Sequence, residues 1–222
     1  MVEAKLHSYK ENLLRKRTEK LNKDFIFLEG CAEFSNSEQF QIALSIAKKY
    51  HEGQLRGSWE PYLSHVVDVT IELLNRGIRN SNILTSAILH DILEECSPIV
   101  NELFLTDAWI NSITLDSIIA LTKEKGYNKE EYYQRIKENE IACIVKLADR
   151  LHNLGTMSGS FDLKRTEKYL KETKEEILPI AKYARKHYVK NAWIIMSLKR
   201  DIERLITTIE ILFLEHGIDI EI

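Results

Sequence analysis

Apolar residues in this chain recur at the i, i+3, i+4, i+7 spacing of amphipathic helices and almost nowhere in the alternation of strands. Phe40, Ala43, Ala47 and Tyr50 lie on one stripe, and Val66, Val69, Thr70 and Leu73 on a second. Leu84, Ala87, Ile88 and Asp91 form a third, and Ile141, Ile144, Val145, Ala148 and Leu151 a fourth. With 8 glycines and 3 prolines in 222 residues, there are few points at which such helices can break. The fold class this predicts is all-α. The breaks fall at Gly53, the 56–61 stretch, Ser97-Pro98, Gly126-Tyr127-Asn128 and 155–159, with Pro61 suited to a first helical turn. Residues 163–215 read as two long helices, the first ending around 187–190. The expected organisation is an N-terminal helical arm and connector over 1–37, a main domain over 38–187, and a C-terminal helix over 188–222 that packs on the domain or on a partner.

A formal charge of −3 without a long basic block argues against a nucleic-acid partner. It leaves room for a small anion held by a few cations. No apolar run approaches the roughly 20 residues that cross a bilayer, and the charged N-terminus lacks the apolar core of a signal peptide. A cytoplasmic protein with no membrane partner is therefore expected. Three widely spaced cysteines, Cys31, Cys96 and Cys143, read as reduced thiols.

The segment Leu89-His90-Asp91-Ile92-Leu93-Glu94-Glu95 adds a histidine and three carboxylates directly after an apolar run. In one continuous helix, His90 and Glu94 share a face, and Asp91 and Glu95 share the adjacent one. An upstream helix carries His65, in EPYLSH. A downstream helix carries Asp149, in IVKLADRLHNL, four residues after Val145 and four before Asn153. Two imidazole nitrogens and two carboxylates make a mixed N/O set suited to Mn²⁺, Fe²⁺ or Zn²⁺. Such an ion polarises a phosphoryl oxygen and acidifies water. Taken singly, each residue has a commoner role: a packing histidine for His65, a buried ion-pair partner for Asp149, solvated acids for Glu94 and Glu95. Their conjunction favours a metal site. The four acids outweigh one divalent cation, so an anionic substrate requires further positive charge or a proton held by one of the acids. Arg56 and Lys146, the latter three residues before Asp149, are the candidates.

The series HEGQLRGSWEPYLSH, ILHDILEE and VKLADRLHNLGT resembles the hydrolase domain of the RelA/SpoT alarmone enzymes, which are HD-type metal phosphohydrolases. The resemblance runs over residues 38–185, and KYLKETKEEILPIAKYAR is similar to the helix that closes that domain. It implies an all-helical domain that removes pyrophosphate from the 3′ position of ppGpp and pppGpp, generally with Mn²⁺. It implies His65, His90, Asp91 and Asp149 as metal ligands, and Glu94 and Glu95 as the acids that position water and handle its proton. Arg56, Ser58, Asn153 and Thr156 match positions of the nucleotide pocket. The length implies a stand-alone hydrolase, without synthetase or regulatory domains.

The chain departs from the family pattern at three points. Glu95 stands where an Asp is usual, and Gly57 and Gly155 stand where basic residues are common. The alternatives are an HD-fold phosphohydrolase for another nucleotide or NADPH, and a non-catalytic nucleotide-binding module. Ile195, Leu198, Ile202, Leu205, Ile209 and Leu212 keep heptad-like steps that suit either the chain's own domain or a second copy in a homo-oligomer. Of the three tryptophans, Trp109 and Trp193 are expected to pack, with Trp59, beside Arg56, the candidate exception.

Overall fold

The structure is a computed structural model and describes residues 2–57, 59–157 and 162–217, with residues 2–11 described as backbone only. Ser58, one of the expected nucleotide contacts, lies outside the described residues. The described residues form an all-α fold whose extended pairing is limited to one isolated bridge, Leu55 to Pro61. No described helix is long and apolar enough to cross a membrane. The chain divides into two compact units, residues 1–111 and 112–222.

In the first unit, α1 (Val2–Phe34) lays Leu21, Phe25, Leu28 and Ala32 against α2 (Glu38–Tyr50) and α3 (Tyr62–Asn75). Two ion pairs fasten it: Lys20 to Asp68 at 2.7 Å and Arg17 to Glu60 at 3.0 Å. The centre of the unit is α4 (Ser81–Leu89), which packs on α2 and α3 and buries every residue from Ile83 to Leu89. A helix buried all round depends on its ends for polar compensation. Here Asn80 supplies it, its side chain accepting from Asn82 N at 2.9 Å and Ile83 N at 3.2 Å. Asn80→Ala is expected to cost about 1 kcal/mol of stability. Denaturant unfolding checks this, and an unchanged midpoint would count against a capping role for Asn80.

The continuous helix expected through LHDILEE is broken. α4 stops at Leu89, and a second short helix, α5 (Ile92–Glu95), starts after a His90–Asp91 joint. The cause is local: the Asp91 carbonyl accepts from both Glu94 N (3.1 Å) and Glu95 N (2.9 Å), so the ladder restarts there. The shared faces expected from i, i+4 spacing across residues 90–95 therefore do not apply. α6 (Glu102–Asp107) completes the unit.

The second unit is built around α9 (Glu140–Thr156), which buries every residue from Ala142 to Arg150. α7 (Ser112–Leu121), α8 (Lys129–Glu138), α11 (Leu178–His187) and α12 (Ala192–Glu215) pack on it. Asn139 caps α9 through Ala142 N at 2.9 Å. The first of the two expected C-terminal helices contains an interruption. α10 (Leu163–Glu172) passes through a π-helical turn at Thr173–Ile177 before α11. The buried Arg150 guanidinium lies against that turn, donating to Thr173 Oγ1 (3.0 Å), Glu172 Oε1 (2.9 Å) and the Tyr169 carbonyl (3.4 Å). It also stacks on the Tyr169 ring at 3.8 Å. On α12 the heptad-like stripe divides: Ile195, Leu198 and Ile202 are buried in the unit, Leu205 and Ile209 are half-buried, and Leu212 is exposed.

All three tryptophans are exposed, Trp59 at 73%, Trp109 at 83% and Trp193 at 52%, which corrects the expectation that Trp109 and Trp193 pack. Two of them, Trp59 and Trp109, sit at positive φ.

Candidate metal centre

Three side chains of the first unit converge. His65 comes from the first turns of α3, and His90 and Asp91 from the joint between α4 and α5. One ligand atom from each lies within 4.8 Å of the others. His90 Nε2 stands 3.3 Å from Asp91 Oδ2, and His65 Nε2 stands 3.6 Å from the same oxygen. The two imidazoles meet edge to face with centroids 5.1 Å apart. Both histidines are 2% exposed, while Asp91 is half-buried.

The tautomer of His90 follows from its hydrogen bond. Nδ1 lies 2.8 Å from the Ala87 carbonyl, which can only accept, so Nδ1 carries a proton and, in the neutral ring, Nε2 presents a lone pair. That lone pair faces a carboxylate oxygen at 3.3 Å. Two lone pairs held this close need a cation or proton between them. A histidine whose far nitrogen is anchored to a backbone carbonyl is the usual arrangement of an imidazole metal ligand. The donor set of two nitrogens and a carboxylate fits a divalent first-row metal.

The surrounding residues hold Asp91 in place. Tyr62 Oη donates to Asp91 Oδ2 at 2.6 Å and also hydrogen-bonds Glu95. Its ring stacks on His51, with centroids 5.0 Å apart. His51 is buried, which lowers its pKa, and its Nδ1 meets Gln54 Oε1 at 2.8 Å. Gln54 Nε2 reaches the Glu95 carbonyl and Cys96 Sγ, each at 3.5 Å. Inspection of the sequence had not singled out Tyr62, His51 or Gln54. Tyr62 was accessible to it, because it precedes His65 by three residues and so shares its helix face. His51 and Gln54 act through a loop, whose contacts no periodicity reveals.

Glu94 and Glu95 are exposed to solvent. Partial burial of the Glu95 carboxylate raises its pKa, and the Asp91 and Glu94 carboxylates add to the rise. Arg56 is half-buried in the loop before α3 and lies close enough to Glu95 to counter that shift.

The remaining expected site residues belong to the second unit. Asp149 is buried, with Oδ2 taking Lys146 Nζ at 2.9 Å and Oδ1 taking Asn153 Nδ2 at 2.5 Å. Burial alone would lower the Lys146 pKa, but the Asp149 carboxylate holds it well above the usual lysine value. Thr156 is exposed near the end of α9, its hydroxyl donating to the His152 carbonyl at 2.9 Å. Gly155 and Gly57 both face open space.

No protein-family model matches the chain. Among curated proteins it is 28% identical to a GTP pyrophosphokinase of Streptomyces coelicolor, over 67% of this chain and 18% of the relative. It is 28% identical to a guanosine-3′,5′-bis(diphosphate) 3′-pyrophosphohydrolase of Aquifex aeolicus, over 66% of this chain and 21% of the relative. For the enzyme of that name from Haemophilus influenzae the identity is 30%, over 66% and 22%. The chain thus spans about a fifth of the length of these relatives. A solved structure described as a metazoan ortholog of SpoT that hydrolyses ppGpp superposes with a TM-score of 0.61 at 21% identity, covering 82% of this chain and 98% of that one. The relatives of this chain are thus alarmone enzymes of the RelA/SpoT type, and its all-α fold is the one seen in the solved SpoT ortholog.

Proposed function

We propose that this chain hydrolyses the 3′-pyrophosphate of ppGpp and pppGpp at a divalent-metal centre, with Mn²⁺ as the ion. The observation that carries this reading is the convergence of His65, His90 and Asp91, with His90 Nε2 held in its ligand tautomer. Bound there, a divalent ion supplies Lewis-acid polarisation of the phosphoryl oxygen and of the attacking water. His65, His90 and Asp91 hold it, and Asp149 is the fourth ligand by resemblance.

The chain's own groups divide the remaining work. Glu95 accepts the proton of the water as its oxygen bonds the phosphorus on the 3′ oxygen. The position of Glu95 beside Asp91, both within reach of the Tyr62 hydroxyl, supports this assignment. The 3′ O–P bond breaks, the 3′ oxygen takes up a proton, and the products are pyrophosphate and GDP from ppGpp or GTP from pppGpp. Glu94 orients the water beside it. Arg56, Ser58, Lys146, Asn153 and Thr156 bind the nucleotide. The second reading, another nucleotide or NADPH as substrate, is favoured by the missing side chains at Gly57 and Gly155.

The test is release of pyrophosphate or orthophosphate by metal-stripped protein with and without Mn²⁺, on ppGpp, with GTP and NADPH as comparison substrates. Release from ppGpp that depends on Mn²⁺ is expected. Release confined to a comparison substrate would move the function to the second reading. Turnover that persists without metal would remove the metal from it.

A further inference from the structure

We propose that Trp59 is a specificity-determining residue, whose indole stacks on the purine base of the nucleotide. This rests on the nucleotide phosphohydrolase reading above and names the group that reads the base.

Trp59 combines two unfavourable features. It is 73% exposed, and its backbone sits at φ +65°, where a Cβ crowds the chain. Among the described residues two other non-glycine residues, Asn36 and Trp109, share that conformation, and helix termination explains the backbone of both. Asn36 closes α1 through Asn36 N to Glu33 O and Ser37 N to Ala32 O. Trp109 closes α6 through Trp109 N to Thr106 O and Ile110 N to Leu105 O. A left-handed residue with this pair of bonds is the ordinary end of a helix. Trp59 ends no helix. It lies in a tight turn where Trp59 N bonds Arg56 O and Arg56 N bonds Glu60 O, both at 2.8 Å. The last position of such a turn is one that glycine fills without strain. As at Trp109, the backbone geometry accounts for the conformation and not for the indole; what sets Trp59 apart is its place between Arg56 and Tyr62.

The turn is held fast, so the backbone from which the indole projects has a defined place. Tyr62 N bonds Gln54 O at 2.8 Å, and Leu55 pairs with Pro61. Gln54 fastens the loop to Glu95 and Cys96, and Glu60 meets Arg17 of α1. Three residues on, Tyr62 holds Asp91 of the metal centre. One short loop thus carries an exposed aromatic plane and the cationic Arg56, and leads directly into Tyr62, which donates to Asp91 of the candidate metal centre. A nucleotide polyphosphate has the complementary layout, a flat base at one end and anionic phosphates at the other. An indole stacks on a base without needing its hydrogen-bonding edge, and a purine offers the larger face.

The test is steady-state hydrolysis of ppGpp by wild type and by Trp59→Gly, Trp59→Leu and Trp59→Phe, with thermal melting and Mn²⁺ affinity for each. Trp59→Gly is expected to raise KM roughly tenfold or more. Its kcat and metal affinity stay near wild type, and its melting temperature does not fall, because glycine adopts this φ freely. Trp59→Leu shares the rise in KM, and Trp59→Phe largely restores the wild-type value. A KM within about twofold of wild type in the Gly and Leu variants overturns the proposal, as does a rise accompanied by weakened Mn²⁺ binding. If the wild-type protein does not turn over ppGpp, the hydrolase reading fails separately. The stacking proposal is then decided by GDP titration: quenching of tryptophan emission that disappears in Trp59→Phe supports it, and quenching equal in both overturns it.

Discussion

If the proposed function holds, His90→Ala is expected to remove metal uptake and ppGpp hydrolysis together. His90 contributes one of three converging ligand atoms, and its Nδ1 bond to Ala87 O keeps the other nitrogen available. Alanine deletes the donor and leaves the Asp91 carboxylate facing His65 alone. Metal affinity is expected to fall by more than the roughly 10–100-fold lost when only an outer partner of a ligand is removed. Turnover follows it down by at least about 10²–10³-fold, the scale of losing one group that stabilises charge in a transition state. Calorimetric Mn²⁺ titration beside pyrophosphate release checks both. Retained turnover in a variant that no longer binds metal would refute the centre. The melting temperature of the metal-free protein serves as the control for folding.

The largest expected effect on stability lies in the second unit. Arg150→Ala should destabilise the protein by about 3–5 kcal/mol, the cost of breaking a buried ion pair from one side. Arg150 is 1% exposed, and its guanidinium joins Glu172, Thr173 and the Tyr169 ring and carbonyl. Burial raises the Glu172 pKa, but Arg150 and the Tyr133 hydroxyl outweigh it and hold that carboxyl below its ordinary 4.5. The sign is therefore that of a depressed acid. The pair's contribution is full above the unfolded pKa and is lost as pH falls through the lowered folded value. Arg150→Ala should melt roughly 10 °C lower near neutral pH. A shift of only about a degree would show that the network around the π-helical turn contributes little. The double variant Arg150→Met with Glu172→Met should recover part of the loss, because it leaves no buried charge unpaired.

Much of the fold was legible because burial imposes a period. The stripes through Phe40, Val66, Leu84 and Ile144 mark the buried faces of α2, α3, α4 and α9, and their spacing needs no knowledge of neighbours. His65, His90 and Asp91 were legible for a different reason. A histidine and carboxylates directly after an apolar run, with a further histidine on an upstream helix, make a metal donor set that no single residue's commoner role explains. Interruptions were not legible. The ladder restarts at Asp91 because its carbonyl takes two N–H groups, and the π-helical turn lies against a guanidinium arriving from α9. Neither partner is visible in the local pattern.

Sequence alone determined the helical class, the approximate extents of the main helices and the identity of the three side chains that converge. These follow from residue type and spacing within one element. Tertiary structure decided which nitrogen of His90 is presented, that Tyr62 secures Asp91, and that Trp59 projects into solvent from a strained turn. Each of these depends on hydrogen bonds between groups brought together by folding, and such bonds fix orientation as well as position.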